Sequence, residues 1–157
     1  MDGYQAVTAM IASAWQRFDD PASPARHFCL DAIGDVLERR SLAQQDAERV
    51  VERLVQVALC DDEGGWELES ALHAVCTAAT YYRLPYRLVQ PLAVGVDGFE
   101  PELLSYVLVV LGFTYDQAAL PTVERFLEHP HPEVRGAAAD ALAELRRCRE
   151  RGRSGTA

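Results

Sequence analysis

The side chains that could perform chemistry in this chain are few and widely spaced. His73 and Cys76 lie one helical turn apart, as zinc ligands can, but no third ligand stands nearby. His129 and His131 flank a proline beside two glutamates, which is more typical of a stiffened turn. There is no G-x-S-x-G segment and no phosphate-binding glycine loop. We therefore predict no catalytic, cofactor-binding or metal-binding residues.

The charge distribution favours a basic protein as partner. The chain has 24 acidic and 15 basic residues, a net charge of -9. Residues 1–145 hold 23 acids and 10 Arg, a balance of -13, while residues 146–157 hold five Arg and one Glu, a balance of +4. An acidic body repels phosphate backbones, which argues against nucleic-acid binding. The Arg-rich end, 149–157, is expected to be a disordered tail.

Acidic residues gather at two predicted hairpin turns. Eight carboxylates belong to this set: Asp61, Asp62, Glu63, Glu67, Glu69, Asp97, Glu100 and Glu102. If equivalent turns stack, they form one acidic ridge, which is either a solvated edge or a docking site for a basic partner. Trp66 stands in the middle of this ridge. It is either an interface anchor or a cap over the hairpin core.

The elements that would position these residues are all helices. Amphipathic stripes and breaker residues predict eight of them, at about residues 4–18, 24–40, 42–60, 66–82, 85–94, 100–114, 116–128 and 132–148. Ser23 and Ser41 are expected to cap the second and third, with Pro24 in a first turn. The longest apolar run, Val107 to Phe113, is too short to cross a bilayer, and the N-terminus does not resemble a signal peptide. A cytoplasmic protein with no membrane partner is expected.

Three of these helices repeat one another without a gap. Trp66–Ala79, Pro101–Thr114 and Pro132–Leu145 align in six apolar columns, and the helices before them repeat at spacings of 34 and 35 residues. A weaker copy begins at Pro24, although Arg26 occupies an apolar column. Stacked hairpins of this kind bury one continuous core. We predict an all-α fold of about four helical hairpins in a single domain over residues 1–148.

One helix of the repeat carries apolar residues outside the core columns. Leu104 and Leu108 are expected to face the concave side of the stack with Glu69, Ser70, His73 and Thr77. They would form an exposed apolar patch of the kind that marks interfaces, with Tyr106 as a further anchor at its border. A buried central helix is the alternative explanation.

The segment from Leu120 to Leu145 resembles a HEAT repeat of the bacterial type also found in phycobilin lyase subunits. The residues that carry the resemblance are Val134, Arg135, Ala137, Ala138, Ala141 and Leu142. The upstream units match only in period and apolar columns. The resemblance implies a right-handed α-solenoid, an α-α superhelix, whose second helices line a concave protein-binding surface.

Two classes of function are consistent with these features. The first is a non-catalytic binding protein, most concretely an acidic inhibitor that resembles small immunity proteins, neutralises a basic toxin or enzyme, and is a monomer when free. A regulatory or scaffold HEAT module belongs to the same class. The second class is an accessory enzyme resembling a chromophore lyase, or a HEAT-type DNA glycosylase. A glycosylase needs a cationic DNA-binding face, which the acidic body does not offer.

Overall fold

A computed structural model of the chain describes residues 3–60 and 65–154, with side chains described up to residue 147. All regular structure in these residues is helical, as predicted. The helices are α1 (Gly3–Asp19), α2 (Arg26–Glu38), α3 (Gln44–Cys60), α4 (Trp66–Tyr81), α5 (Tyr86–Val94), α6 (Pro101–Phe113), α7 (Leu120–Glu124) and α8 (Pro132–Ser154), with single 3-10 turns at Val96–Gly98 and Gln117–Ala119. The chain divides into two compact units, Met1–Tyr82 and Arg83–Ala157.

The first unit contains two helical hairpins, α1–α2 and α3–α4. Their second helices pack directly on each other, and each also packs on its own first helix. Gly34 of α2 lies opposite Ala74 of α4, and a Cβ placed on Gly34 would make an ordinary van der Waals contact with Ala74 Cβ, at 3.8 Å. The first helices are joined by polar contacts instead. Arg53 of α3 pairs with Asp19 of α1 at 2.5 Å, and its guanidinium lies 4.2 Å from the Trp15 ring.

The second unit repeats this arrangement in α5–α6 and α7–α8. Its second helices, α6 and α8, form the largest contact of the unit, and α6 also packs against α5 and α7. Gly112 allows the close approach, since a Cβ at this position would lie only 2.7 Å from Ala141 Cα. In both units, therefore, second helices meet through a glycine and an alanine.

The apolar columns of the repeat predict most of the core. Leu72, Val107 and Ala138 share one column, and all three are fully buried. Some column members are only half-buried, namely Cys76, Leu103, Tyr106 and Ala137. Within each unit, the periodicity thus identifies the buried face of the second helix, with differences at its edges.

Several predicted helix ends are wrong, because local hydrogen bonds compete with the helix. α2 begins at Arg26 with no side-chain cap, since residues 20–26 form turns in which Ser23 N–H donates to the Asp20 carbonyl at 3.0 Å. α3 begins at Gln44, and the Ser41 hydroxyl donates instead to the Val36 carbonyl at 3.3 Å. Such backbone bonding is the usual competitor of capping by serine.

The last two helices also differ from their predicted bounds. α7 ends at Glu124 rather than near residue 128, although Pro121 does lie in its first turn. α8 continues to Ser154 past the predicted end near residue 148, so residues 149–154 are helical, and residues 155–157 of the predicted tail lie outside the described residues. That both units form one right-handed solenoid domain over residues 1–148 stays a prediction. No helix in the described ranges is long and apolar enough to cross a membrane.

Candidate functional site

A groove of about 140 Å³ runs between α2 and α4 in the first unit. Its floor consists of small or buried residues, and its walls are polar. The lining residues are Leu30, Asp31, Gly34, Asp35, Glu38, Ser70, His73, Ala74 and Thr77. We refer to it as the α2–α4 groove. It exists because Gly34 and Ala74 fill little space between two helices that carry polar side chains on the adjoining positions.

The α2 wall of the groove is a stripe of carboxylates. Asp31, Asp35 and Glu38 are spaced i, i+4 and i+7, so they lie on one side of the helix and span about 10 Å along it. All three are exposed. None forms an ion pair with another residue in the described ranges. Their negative charge is therefore uncompensated within the described part of the protein.

Phe28 continues the same stripe at the N-terminal end of α2. It stands three residues before Asp31 and is 66% exposed, the most of any aromatic side chain among the described residues. The His27 ring lies 5.2 Å from it, centroid to centroid. An exposed aromatic ring next to a charged stripe is a typical interface anchor.

The α4 wall contains three of the residues that the sequence places on one face. Ser70, His73 and Thr77 all line the groove, with His73 exposed and the other two half-buried. The Thr77 hydroxyl donates to the His73 carbonyl at 3.1 Å, within its own helix. Glu69 is exposed on α4 but does not line the groove.

Trp66 and Glu67 belong to a different cluster, at the corner where α1, α2 and α4 meet. Arg26 donates to Glu67 Oε1 at 2.6 Å and to the Phe18 carbonyl at 2.9 Å. Its guanidinium carbon lies 4.8 Å from the Phe18 ring and 5.6 Å from the Trp66 ring. This cluster explains why an arginine occupies an apolar column of the repeat. It also pairs Glu67 with a cation, which leaves that carboxylate less available to a partner.

The Trp66 side chain caps the core of the first unit while keeping 36% of its surface exposed. Its ring packs edge-on against Phe18, at 6.4 Å, and against His27, at 5.6 Å. These contacts fit the predicted cap over the hairpin core. An anchoring role stays a prediction.

The remaining members of the predicted acidic ridge have different surroundings. Asp61, Asp62 and Glu63 lie outside the described residues. Asp97 accepts two hydrogen bonds from Arg125, at 2.7 and 2.9 Å. Glu100 and Glu102 are exposed, and neither pairs with a cation in the described ranges. The ridge itself stays a prediction.

The predicted apolar patch at Leu104 and Leu108 is wrong. Leu104 is 3% exposed and Leu108 is fully buried. The α6 helix is apolar on nearly every side and packs against several neighbouring helices. Residues outside the repeat's core columns are therefore buried as well. Tyr106, the predicted anchor, is half-buried.

Asp31, Asp35 and Glu38, which line the groove, and Phe28, which precedes them on α2, are not among the residues predicted from the sequence. The predicted acidic residues lie at hairpin turns, whereas these acids lie along a helix. Their spacing of i, i+4 and i+7, with a phenylalanine one turn before, is visible in the sequence and could have identified them.

The Cys29 and Cys76 thiols are not activated. Burial raises the pKa of the Cys76 thiol, and burial raises that of Cys29 although Arg17 and Arg26 oppose it. A raised pKa keeps a thiol protonated at neutral pH, which is the opposite of what a nucleophilic cysteine requires. No group of three or more metal-binding side chains occurs in the part of the chain that the structure describes.

Comparison with known proteins identifies one repeat. The family model of the HEAT repeat matches residues 119–145, which include α7 and the first part of α8. This match supports a HEAT-like identity for the repeat, and HEAT repeats generally mediate protein–protein interactions. No match was found among curated proteins or among solved structures.

Proposed function

We propose that this chain is a non-catalytic protein-binding module whose α2–α4 groove binds a basic segment of a partner protein. The observation that carries the proposal is the stripe of three exposed carboxylates, Asp31, Asp35 and Glu38, that pair with no cation in the described ranges. The HEAT-like repeat supports it independently, because repeats of this kind generally bind proteins.

The groove suits a helical or extended segment that carries several Arg or Lys residues. A spacing of i, i+4 and i+7 places the carboxylates about two turns apart from end to end, which matches cations on one face of a partner helix. Phe28 would contact an apolar residue at one end of that segment. Charge complementarity of this kind raises the association rate and excludes acidic competitors.

The specific function that we propose is inhibition of a basic toxin or enzyme, as small immunity proteins do. The support for it is the -13 balance of residues 1–145. An acidic cover would block the cationic surface that such an enzyme uses to bind its substrate. A regulatory or scaffold module would use the same groove without affecting the partner's activity.

Binding is tested with two variants that remove the same number of charges. The groove variant carries Asp31→Asn, Asp35→Asn and Glu38→Gln. The control carries Glu69→Gln, Glu100→Gln and Glu102→Gln, the exposed ridge acids that have no ion pair in the described ranges. Proteins captured from the native host by the wild-type chain are identified, and the affinity of each purified candidate is measured by calorimetry.

The groove variant should bind the partner about 3-fold to 150-fold more weakly, since each exposed ion pair contributes roughly 0.2–1 kcal/mol and three are lost. The control should bind like the wild type. A partner that is lost from the control variant and retained by the groove variant would assign the interface to the acidic ridge and refute the groove.

Inhibition is tested separately, by measuring the partner's own activity as the wild-type chain is added. We expect activity to fall to zero at a one-to-one ratio, and expression of the chain to protect a host from the partner. Binding with full retention of activity would exclude the inhibitor and leave the scaffold function.

A further inference from the structure

The part of α8 that follows Leu145 is a strongly basic helical segment. Leu145 is fully buried, and the helix continues from there to Ser154, roughly 13 Å further along its axis. Residues 146–154 contain five arginines and one glutamate. We refer to these residues as the arginine segment. Its first residue, Arg146, is exposed and forms no ion pair with any residue of the described ranges.

Three positions of the arginine segment lie on one side of the helix. Arg146, Arg149 and Arg153 are spaced i, i+3 and i+7, so they fall within about 60° around the helix axis and span about 10 Å along it. The positions of Arg147 and Arg151 fall on another side of the same helix. The segment therefore has one stripe of three cations, with two further cations outside it.

The carboxylates of the α2–α4 groove have the same spacing when α2 is read in the opposite direction. Counted from Glu38, Asp35 is three residues away and Asp31 is seven residues away. Both stripes therefore repeat the intervals of three and four residues, which give equal distances along two α-helices. If the helices lie antiparallel with the stripes facing each other, every arginine meets one carboxylate. The facing pairs are then Arg146 with Glu38, Arg149 with Asp35, and Arg153 with Asp31.

The charge that each stripe needs is not supplied to the groove within one chain. None of the three carboxylates forms an ion pair in the part of the chain that the structure describes. The overall charge distribution favours a second copy as the source, since residues 1–145 have a balance of -13 and residues 146–157 a balance of +4. The basic segment of one copy is therefore attracted to the acidic body of another.

We propose that the α2–α4 groove binds the arginine segment of a second copy of this chain, with α2 and α8 antiparallel. The inference rests on the proposed function, because it requires that the groove accepts a basic segment. It adds a form of regulation, since a groove that is filled by another copy is closed to the basic partner. Partner binding and self-association then exclude each other. The free chain is not a monomer, in contrast to the expectation from the sequence.

The first test compares two variants of the full chain that have equal net charge. The stripe variant carries Arg149→Glu and Arg153→Glu, and the control carries Arg147→Glu and Arg151→Glu, on the other side of the same segment. Sedimentation velocity measures the average mass over a wide range of concentrations, at about 0.15 M salt to screen long-range effects of net charge. Circular dichroism checks that each variant is folded.

The wild-type average mass should rise above that of a monomer as the concentration increases. The stripe variant should need concentrations at least about fourfold higher, because two ion pairs are lost and two repulsive pairs of similar strength replace them. The control should associate like the wild type. An oligo-arginine peptide, which offers the same side chains to the groove, should dissociate the wild-type assembly.

The decisive measurement uses a third variant, Asp31→Arg with Asp35→Arg, in which the groove is reversed. This variant should not associate with itself. When it is mixed with the stripe variant, the reversed groove faces a reversed segment and the native groove faces a native one, so the mixture should assemble although neither variant does so alone.

The inference is overturned by a wild-type chain that is monomeric at every concentration, by a control that is weakened as much as the stripe variant, by an assembly that persists in the oligo-arginine peptide, or by a mixture that fails to assemble. The proposed function has a separate readout, which is the affinity of the captured partner. A monomeric wild-type chain whose partner is lost on neutralising the groove would therefore refute the self-association alone.

Discussion

Gly112 is the position where a single methyl group should destabilise the fold most clearly. It is the next-to-last residue of α6 and faces α8, where a Cβ would lie 2.7 Å from Ala141 Cα and 2.9 Å from Ala141 Cβ. Contacts this short do not occur between carbon atoms, whose optimal separation is about 3.5–4.0 Å. Because the nearest atom belongs to the backbone, a side-chain rotation cannot relieve the overlap. Gly112→Ala must therefore move α6 and α8 apart by about 1 Å.

The change in the free energy of unfolding on Gly112→Ala is the sum of two opposing contributions. Overpacking of a buried contact costs about 1–3 kcal/mol. Replacement of glycine by alanine in a helix contributes up to about 1 kcal/mol in the other direction, and less near a helix end. We expect Gly112→Ala to lower the free energy of unfolding by about 1–2 kcal/mol, which corresponds to a fall of roughly 2–8 °C in Tm for a chain of this size.

Gly136 provides the matched control. It lies in α8, and a Cβ at this position would have no atom within 4 Å. Gly136→Ala should therefore have only the favourable effect of replacing glycine by alanine within a helix, and should raise the free energy of unfolding by about 0.5–1 kcal/mol. Urea titrations followed by circular dichroism measure both changes. Adding Ala141→Gly to Gly112→Ala should recover only part of the loss, since the shorter contact, to Ala141 Cα, remains.

We do not expect Gly112→Ala to stabilise the protein as Gly136→Ala does. That result would mean that α6 and α8 are further apart than the Gly112 contact implies. A loss from Gly112→Ala that is fully restored by Ala141→Gly would instead show that only the methyl groups overlap.

Three further predictions concern the core, the corner cluster and the thiols. Leu72→Ala should lower the free energy of unfolding by about 2–5 kcal/mol, because burial is lost and a cavity is left, whereas Glu69→Ala, at an exposed position, should change it by at most about 0.5 kcal/mol. Equal melting temperatures of the two variants would contradict the assigned buried face. Arg26→Leu should lower stability by about 1–2 kcal/mol although leucine suits the repeat column, because charged hydrogen bonds are lost; an increase in Tm would contradict the role of the cluster. Alkylation at neutral pH should modify exposed Cys60 before Cys76, whose raised pKa delays thiolate formation to higher pH; mass spectrometry that finds Cys76 modified first would refute this.

The sequence predicts the helices and their buried faces well, because both depend on periodicity that is local. Leu72 and Val107 are correctly placed by their columns. The columns fail to predict the burial of Leu104 and Leu108, because they assume that a helix has only one buried face. The alternative, a helix that is buried because it is apolar on nearly every side, agrees with the burial of both residues.

Contacts between distant residues limit what the sequence can predict. Arg26 is visible as a misfit in an apolar column, but its partner Glu67 is 41 residues away. Nothing local indicates that these two side chains meet. The Ser41 hydroxyl illustrates the same limit at short range, since a cap on α3 and a bond to the Val36 carbonyl of α2 are both consistent with the sequence.

The positions of the arginines decide which acidic residues can serve as a binding surface. At the hairpin turns, Glu67 is paired with Arg26 and Asp97 with Arg125, so the predicted ridge has less free charge than its composition implies. Along α2, by contrast, Asp31, Asp35 and Glu38 line a groove, and none of them forms an ion pair in the described ranges. Net charge therefore predicts the class of partner, while the surface that binds it depends on which carboxylates the fold leaves without an arginine.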